Sequence, residues 1–567
     1  MVIVPESREE NQPQTSLLVL LRNNLLISAL IFAVLEFWRP YFFLTDDNLD
    51  SGLPFFMEMG NHLLHGQSPF VSDHLFGGNY DSLRDPTFFV WHPLYLVVSL
   101  LAGTPFHCAI MDVDAFVFLM ITTAGFVTLA SHLRREIPLQ IRDGWIMFLA
   151  LSFTYSMIVL VTGASWLNFL ASNSALPWLA LGILQKTWRR GIVLVALASL
   201  SQVLGGHLLA TVSSSIFLTL FATGVSLNRK SIVPLGSWLA GYAVALIVVL
   251  PLLIPILEGF SHSMRAQGTT LDDVQSYAIP ASQFATSLFL GMGVWLVNPH
   301  YDVHAHTTYT VAMGACAASW CLVPAALSRV KWSGLEILTF GLMLLGVFFV
   351  CRPVWVSEIM VHLPLFRSMR WPFRELLQLQ FFLHLFLLIR SPGSLKKIQK
   401  YAALGGACVL IIPLFLYPLP PTFNSMDWDR ELITKGGFNQ YWDQVRPLLR
   451  PDDRVAVLIP PDLYEQERFE MPFSLLGTSN YATMAGIVNL WGYSSTAPLD
   501  QVDIKIYAYY PFGAYRPDQK AYLLTQRPDL KFITLESLHP LKITLSSGAG
   551  PTIDLTPYIP RRMNAPR

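Results

Sequence analysis

Charge is what this sequence has least of. Of its 567 residues, 13% are Asp, Glu, Lys or Arg, about half the share of an ordinary soluble domain. With 53% hydrophobic residues and a mean hydropathy of +0.45, the chain falls outside the soluble class and reads as a polytopic membrane protein. An excess of positive charge is also missing. The 38 basic residues balance 38 acidic ones, so nothing points to a nucleic-acid partner. Cysteine is scarce. Cys108, Cys316, Cys321, Cys351 and Cys408 lie in or beside apolar segments; they lack metal-ligand spacing and read as small packing residues. There is no Gly-x-x-x-x-Gly-Lys loop to cradle a nucleotide's phosphates, no internal repeat and no low-complexity tract. Met1 to Arg22 carries no cleavable signal pattern, so the first apolar helix is expected to remain as an anchor.

What is plentiful is apolar length. Apolar segments recur at 24–44, 113–133, 144–162, 167–185, 191–205, 208–226, 233–256, 309–327, 334–351, 374–390 and 400–418. A crossing needs about 20 residues, so most can span and 191–205 is short. The stretch 87–103, TFFVWHPLYLVVSLLAG, is ambiguous, and charge decides it. If it does not cross, one side of the membrane holds Arg134, Arg135 and Arg142, then Lys186, Arg189 and Arg190, then Arg229 and Lys230, then Arg329 and Lys331, then Arg390, Lys396, Lys397 and Lys400. Basic loops face the cytoplasm. The stretch therefore reads as a juxtamembrane or re-entrant helix beginning at Trp91-His92-Pro93.

The expectation is an all-α polytopic membrane domain at 24–418 with about eleven transmembrane helices. A cytoplasmic N-terminus precedes it at 1–23, and it carries a large extracytoplasmic first loop at 45–112. Residues 419–567 turn polar and Pro-rich, with short β-like runs at Arg454–Ile459 and Lys531–Leu535. They predict a small mixed α/β extracytoplasmic domain.

Three groups of residues carry the potential chemistry. The first is Asp46-Asp47 with Asp50, immediately after the first apolar segment. Carboxylates at a membrane helix mouth are costly, and the negative end of that helix's dipole would disfavour them further. A base or a cation ligand is the expected use. His92 lies in the same outer loop. The second group is Arg367, Arg370 and Arg374, close to Pro372, which suits the first turn of a following helix. Arginines there offer forked donors beside a helix N-terminus, the chemistry of a phosphate site. The third is Asn298-Pro-His300-Tyr301-Asp302-Val-His304-Ala-His306. It suits a polar cleft wall better than a metal site, since no companion carboxylate can be assigned. His207 and His384, inside apolar segments, read as packing residues. Glu36 and Arg39, three apart on the first helix, read as an ion pair.

Taken together, several motifs resemble the C-type integral membrane glycosyltransferases (GT-C), and within them the bacterial YfhO-like membrane proteins. The matching elements are Asp47, Pro54-Phe55, Gly66-Gln-Ser-Pro69, Gly77-Gly78 and Pro93-Leu94. Later elements are Arg370-Trp-Pro-Phe-Arg374 and Gly486-Ile-Val-Asn-Leu-Trp-Gly492-Tyr493. The resemblance implies transfer of a sugar from a polyprenyl-phosphate-linked donor to a glycan, lipid or protein acceptor outside a bacterial inner membrane. An Asp would act as general base, with no organic cofactor and with a divalent metal still open. Asp46 stands where the family usually has Gly, so either carboxylate remains a candidate for the base. Asp50, His92, His300, Tyr301 and the three arginines are the expected substrate contacts. Two other classes stay open: a transporter or flippase of lipid-linked sugars, and a non-catalytic scaffold.

Overall fold

The computed structural model describes residues 15–78, 80–84, 91–136, 141–261, 270–275, 278–279, 281, 322–327, 331–363, 366, 372–390, 427–467, 472–491, 514–548 and 550–560. Among them, seven helical stretches are long and apolar enough to cross a membrane: Leu17–Trp38, His107–Glu136, Asp143–Leu160, Leu167–Leu184, Leu209–Arg229, Val233–Gly259 and Gly334–Cys351. The protein is an integral, multi-pass membrane protein. The expected segments at 309–327 and 400–418 fall wholly or mostly outside the described residues.

The helices are α1 (Leu17–Trp38), α2 (Leu53–Leu64), α3 (Pro93–Ser99), α4 (Ile110–Glu136), α5 (Asp143–Thr154), α6 (Met157–Ser165), α7 (Leu167–Leu184), α8 (Trp188–Gly205), α9 (Leu208–Arg229) and α10 (Val233–Ser261). Gly334–Cys351 and Leu376–Arg390 follow. α1 begins and ends earlier than its apolar run suggests. The Ser16 side chain caps its first turn, and Pro40 disfavours helix at the residue before it, so the helix stops at Trp38. The run at 144–162 is divided at Tyr155-Ser156 into α5 and α6.

Burial separates the centre of the bundle from its rim. Of the apolar window of α7, 89% is buried, against 22% for α1 and 17% for α10. The last two present Leu26, Leu30, Phe37, Ile247, Val248 and Leu257 outward, the side chains of a lipid-facing wall. The helix Leu376–Arg390 is buried along its whole length. There His384 bonds Ser152 through Nε2 at 2.9 Å and the Gln380 carbonyl through Nδ1 at 2.8 Å. Both ring nitrogens are satisfied, as a packing histidine requires.

The stretch 87–103 does not form a membrane-length helix in its described part. α3 and the 3-10 turn Leu100–Gly103 run from Pro93 to Gly103, about 16 Å at 1.5 Å per residue. They lie against α2. A β-carbon on Gly60 would fall 1.9 Å from the Ser99 carbonyl oxygen, and the Phe56 and Tyr95 rings stand 5.2 Å apart.

The two ends of the bundle differ. At one end Lys186 pairs with Glu136 at 2.8 Å, Arg229 bonds the Leu184 carbonyl at 2.8 Å, and Arg390 bonds the Lys331 carbonyl at 2.7 Å. These are members of the basic clusters. At the other end the α1–α2 loop, the α6–α7 junction, the α8–α9 junction and the turn before Leu376 come together, and the C-terminal region docks there.

That C-terminal region is a small mixed α/β domain. Its strands are β3 (Arg454–Leu458), β4 (Val488–Asn489), β5 (Ala514–Tyr515), β6 (Lys531–Leu538), β7 (Leu541–Ser547) and β8 (Ile553–Asp554); β1 (Val71–Ser72) and β2 (Tyr80–Asp81) form a separate antiparallel pair in the first loop. β3 is central. It pairs in parallel with β6 on one edge, and with β4 and then β5 along the other. β6–β7 and β7–β8 are antiparallel. β3 is Arg-Val-Ala-Val-Leu, buried on both faces beyond its first residue, the continuous apolar run expected of a covered parallel strand.

Candidate active site

The α1–α2 loop is folded by its own polar groups. Glu36 accepts the backbone N–H of Tyr41 at 2.9 Å and of Phe42 at 3.3 Å. This carboxylate therefore secures the turn after α1, a role that the Glu36–Arg39 spacing alone does not disclose. Asp112, at the start of α4, accepts the N–H of Phe43 at 2.9 Å. Asn48 then ties the loop to the α6–α7 junction. Its amide nitrogen reaches the carbonyls of Phe43, Gly163 and Ala164 at 2.8–2.9 Å, and its oxygen takes the N–H of Leu167 at 2.9 Å. Thr45 adds a bond to the Ala164 carbonyl at 2.9 Å.

This places the three carboxylates differently from the sequence expectation. α1 ends at Trp38, and Asp47 immediately precedes a one-turn π-helix, Asn48–Gly52, that runs into α2. Asp46 and Asp47 therefore stand at the N-terminus of the next helix, where its dipole favours negative charge. The dipole penalty expected from α1 is corrected. A π-turn of this kind is often found at functional sites.

The carboxylates have different surroundings. Asp46 is buried, with a left-handed backbone at φ 52°, and its carbonyl accepts the N–H of Leu49 and Asp50. Asp50 is fully buried, and burial together with the charges of Asp47, Asp46 and Asp429 holds its carboxyl well above the usual range. It faces the C-terminal domain. Ser479 Oγ reaches its carboxylate at 3.4 Å, and the Asn480 N–H donates to its carbonyl at 3.0 Å. Asp47 alone of the three is partly open to solvent. Its Oδ2 accepts the indole N–H of Trp166 at 2.7 Å.

Trp166 leads to the basic side of the site. The Arg374 guanidinium lies 5.0 Å from the Trp166 ring centroid and 5.5 Å from that of Phe169, within cation–π range. Its Nη1 stands 3.3 Å from His207 Nε2, and the His207 ring packs on Phe169 at 5.1 Å. Arg374 occupies the turn Pro372–Glu375 that opens the helix Leu376–Arg390, and His207 immediately precedes α9. Two helix N-termini thus meet at Arg374, a setting that attracts anions. Asp47, Trp166 and Arg374 form one connected unit.

No family model matches the chain, and no curated protein matches it. One solved structure is similar. It is the arabinofuranosyltransferase AftD from Mycobacteria, determined by single-particle cryo-EM. The match covers 96% of this chain at a TM-score of 0.46 and 16% sequence identity. This chain spans 36% of the length of that protein. The chemistry of the present site rests on its own residues.

The remaining sequence candidates are distributed as follows. His92 caps α3, with Nδ1 accepting the Leu94 N–H at 3.2 Å and Nε2 facing Ser201 Oγ at 3.1 Å. Burial pushes its imidazole down to about 4, so it is neutral at physiological pH. It packs behind the α8–α9 junction, where a β-carbon on Gly205 would fall 2.9 Å from its ring. Arg367, Arg370, His300, Tyr301, Gly492 and Tyr493 lie outside the described residues. Among the described residues, no group of three or more His, Cys, Asp and Glu side chains is arranged to hold a metal ion. Sequence reading missed three members of the site. Trp166 and Asn48 belong to segments more than a hundred residues apart, joined only by the fold. His207, read as a packing residue, had one available signal: it follows Gly205-Gly206 at a helix break.

Proposed function

We propose that this protein is a GT-C type membrane glycosyltransferase that moves a sugar from a polyprenyl-phosphate-linked donor to an extracytoplasmic glycan, lipid or protein acceptor. The observation that carries this reading is the placement of a partly open carboxylate, Asp47, and a cation, Arg374, on the same indole. Sugar transfer needs both. As the acceptor hydroxyl attacks the anomeric carbon, its proton passes to the Asp47 carboxylate. A carbon–oxygen bond forms to the acceptor, and the bond from the anomeric carbon to the phosphate oxygen breaks. Its electron pair leaves with the polyprenyl phosphate. Arg374 and the two converging helix N-termini stabilise that charge.

Asp47 is the base in this reading, because Asp46 is buried and Asp50 is engaged with Ser479. Arg367 and Arg370 share the phosphate with Arg374, and His300 and Tyr301 contact substrate. His92 shapes the floor of the site through the α8–α9 junction. In this reading the basic end of the bundle faces the cytoplasm, as the positive-inside rule favours, and Asp47 and the C-terminal domain lie on the outer side of a bacterial inner membrane. The motif matches from Asp47 to Tyr493 support placement beside the YfhO-like proteins.

The test is consumption of polyprenyl-phosphate-linked pentoses and hexoses by the purified protein in vesicles. The expected result is turnover that Asp47→Asn abolishes and Asp46→Asn reduces less. Full turnover in both single variants and in the double variant refutes the reading. Movement of intact donor between leaflets without sugar release would instead identify a flippase.

A further inference from the structure

The indole of Trp166 has two polar uses on two different elements. Its N–H donates to Asp47 Oδ2 at 2.7 Å, and its face lies 5.0 Å from the Arg374 guanidinium. The residue sits at the α6–α7 junction, and its own N–H bonds the Thr162 carbonyl at 2.6 Å. Asn48 pins that junction to the acidic loop within two residues on either side, through Ala164 and Leu167. Phe169, one turn further along α7, extends the aromatic surface beneath Arg374. Acidic loop, junction and arginine are therefore held as one body.

We infer that Trp166 is a positioning residue that sets both the ionisation of Asp47 and the distance between Asp47 and Arg374. This rests on the glycosyltransferase reading above. A hydrogen bond donated to a carboxylate favours its charged form, which is the form a base must have. It also fixes the orientation of the carboxylate through Oδ2. The ring face packs against the guanidinium and, with Phe169 and His207, restricts its rotamers. Orientation of both groups is in place before substrate arrives, and preorganisation of this kind acts on the chemical step more than on binding.

Two replacements separate the uses. Benzothienylalanine at position 166 keeps the shape and the ring face and removes the N–H; Trp166→Leu removes both. The wild-type protein and these variants are reconstituted in vesicles, with polyprenyl-phosphate-linked pentose or hexose as donor and undecaprenyl phosphate as binding probe. For the benzothienyl variant, the rate at saturating donor should fall roughly tenfold or more, the worth of one hydrogen bond to a charged group. The acidic limb of its pH–rate profile should move to higher pH, while undecaprenyl phosphate affinity stays within about twofold, below the effect of one lost contact. Trp166→Leu should in addition weaken undecaprenyl phosphate binding. A residue that only fills space would lower the rate of Trp166→Leu and leave the benzothienyl profile superimposed on wild type; that outcome overturns the inference. The glycosyltransferase reading fails separately, if Asp47→Asn keeps wild-type turnover.

Discussion

Replacement of Arg374 tests the leaving-group side of the site with a magnitude that follows from the structure. The side chain is half-buried, stacked on Trp166 and Phe169, and bonded to His207. Arg374→Ala removes a charge-assisted contact to a phosphate, worth about 1.5–3 kcal/mol, or roughly tenfold to a hundredfold. The two ring contacts add about 0.5–1 kcal/mol each at a site of this exposure, but these hold the arginine in place and their loss acts on local order. Arg374→Lys keeps the charge and loses the fork and the flat stacking surface, so it should recover only part of the effect. Two assays are required: affinity for undecaprenyl phosphate, and turnover of a polyprenyl-phosphate-linked sugar at saturating donor. If Arg374 stabilises charge that develops as the bond breaks, turnover falls more than affinity. Both losses should grow with Arg374→Ala over Arg374→Lys. Unchanged affinity and turnover in Arg374→Ala would refute the assignment of a phosphate to this turn.

Two further predictions concern the junction with the C-terminal domain. Asn480 Nδ2 bonds Ser51 Oγ at 3.2 Å and Thr483 Oγ1 bonds the Pro54 carbonyl at 3.0 Å. The double change Asn480→Ala, Thr483→Val should loosen this contact by about 1 kcal/mol per bond, read as faster amide hydrogen exchange at 474–490; unaltered exchange would show that the docking resides elsewhere. Asp429 accepts from Ser474 and is pushed up to about 7 by burial. Its folded value lies above the unfolded one, so its contribution to stability is complete at low pH and declines as pH rises toward about 7, by about 1.4 kcal/mol for each unit. Thermal melts of Asp429→Asn should therefore lose less stability than wild type between pH 5 and pH 8, and parallel curves would contradict the burial account.

Much of the architecture was legible because apolar length and basic clusters are local properties of the sequence. The described part of the run at 87–103 is a helical stretch, Pro93–Gly103, shorter than the spans, and the β-like runs at 454 and 531 became paired strands of one sheet. Termini were less legible. α1 stops where Pro40 forces it to, and the division at Tyr155-Ser156 has no Pro or Gly to announce it. The acidic motif was visible, yet its electrostatic setting was read from the wrong helix, because α1 ends at Trp38 and a new helix N-terminus begins at Asn48. Partnership was the least legible property. Asp47 meets Trp166, and Arg374 meets His207, across separations of 119 and 167 residues. No spacing rule reaches that far, and the choice between Asp46 and Asp47 depends on which carboxylate the turn leaves open.

The most direct measurement is a cryo-EM map of the protein with a polyprenyl-phosphate-linked sugar bound, using Asp47→Asn to hold the donor intact. The account predicts phosphate density in contact with the Arg374 guanidinium, at the meeting of the α9 and Leu376–Arg390 N-termini, with the anomeric carbon facing residue 47. Phosphate density seated away from Arg374, with the sugar out of reach of residue 47, would contradict it.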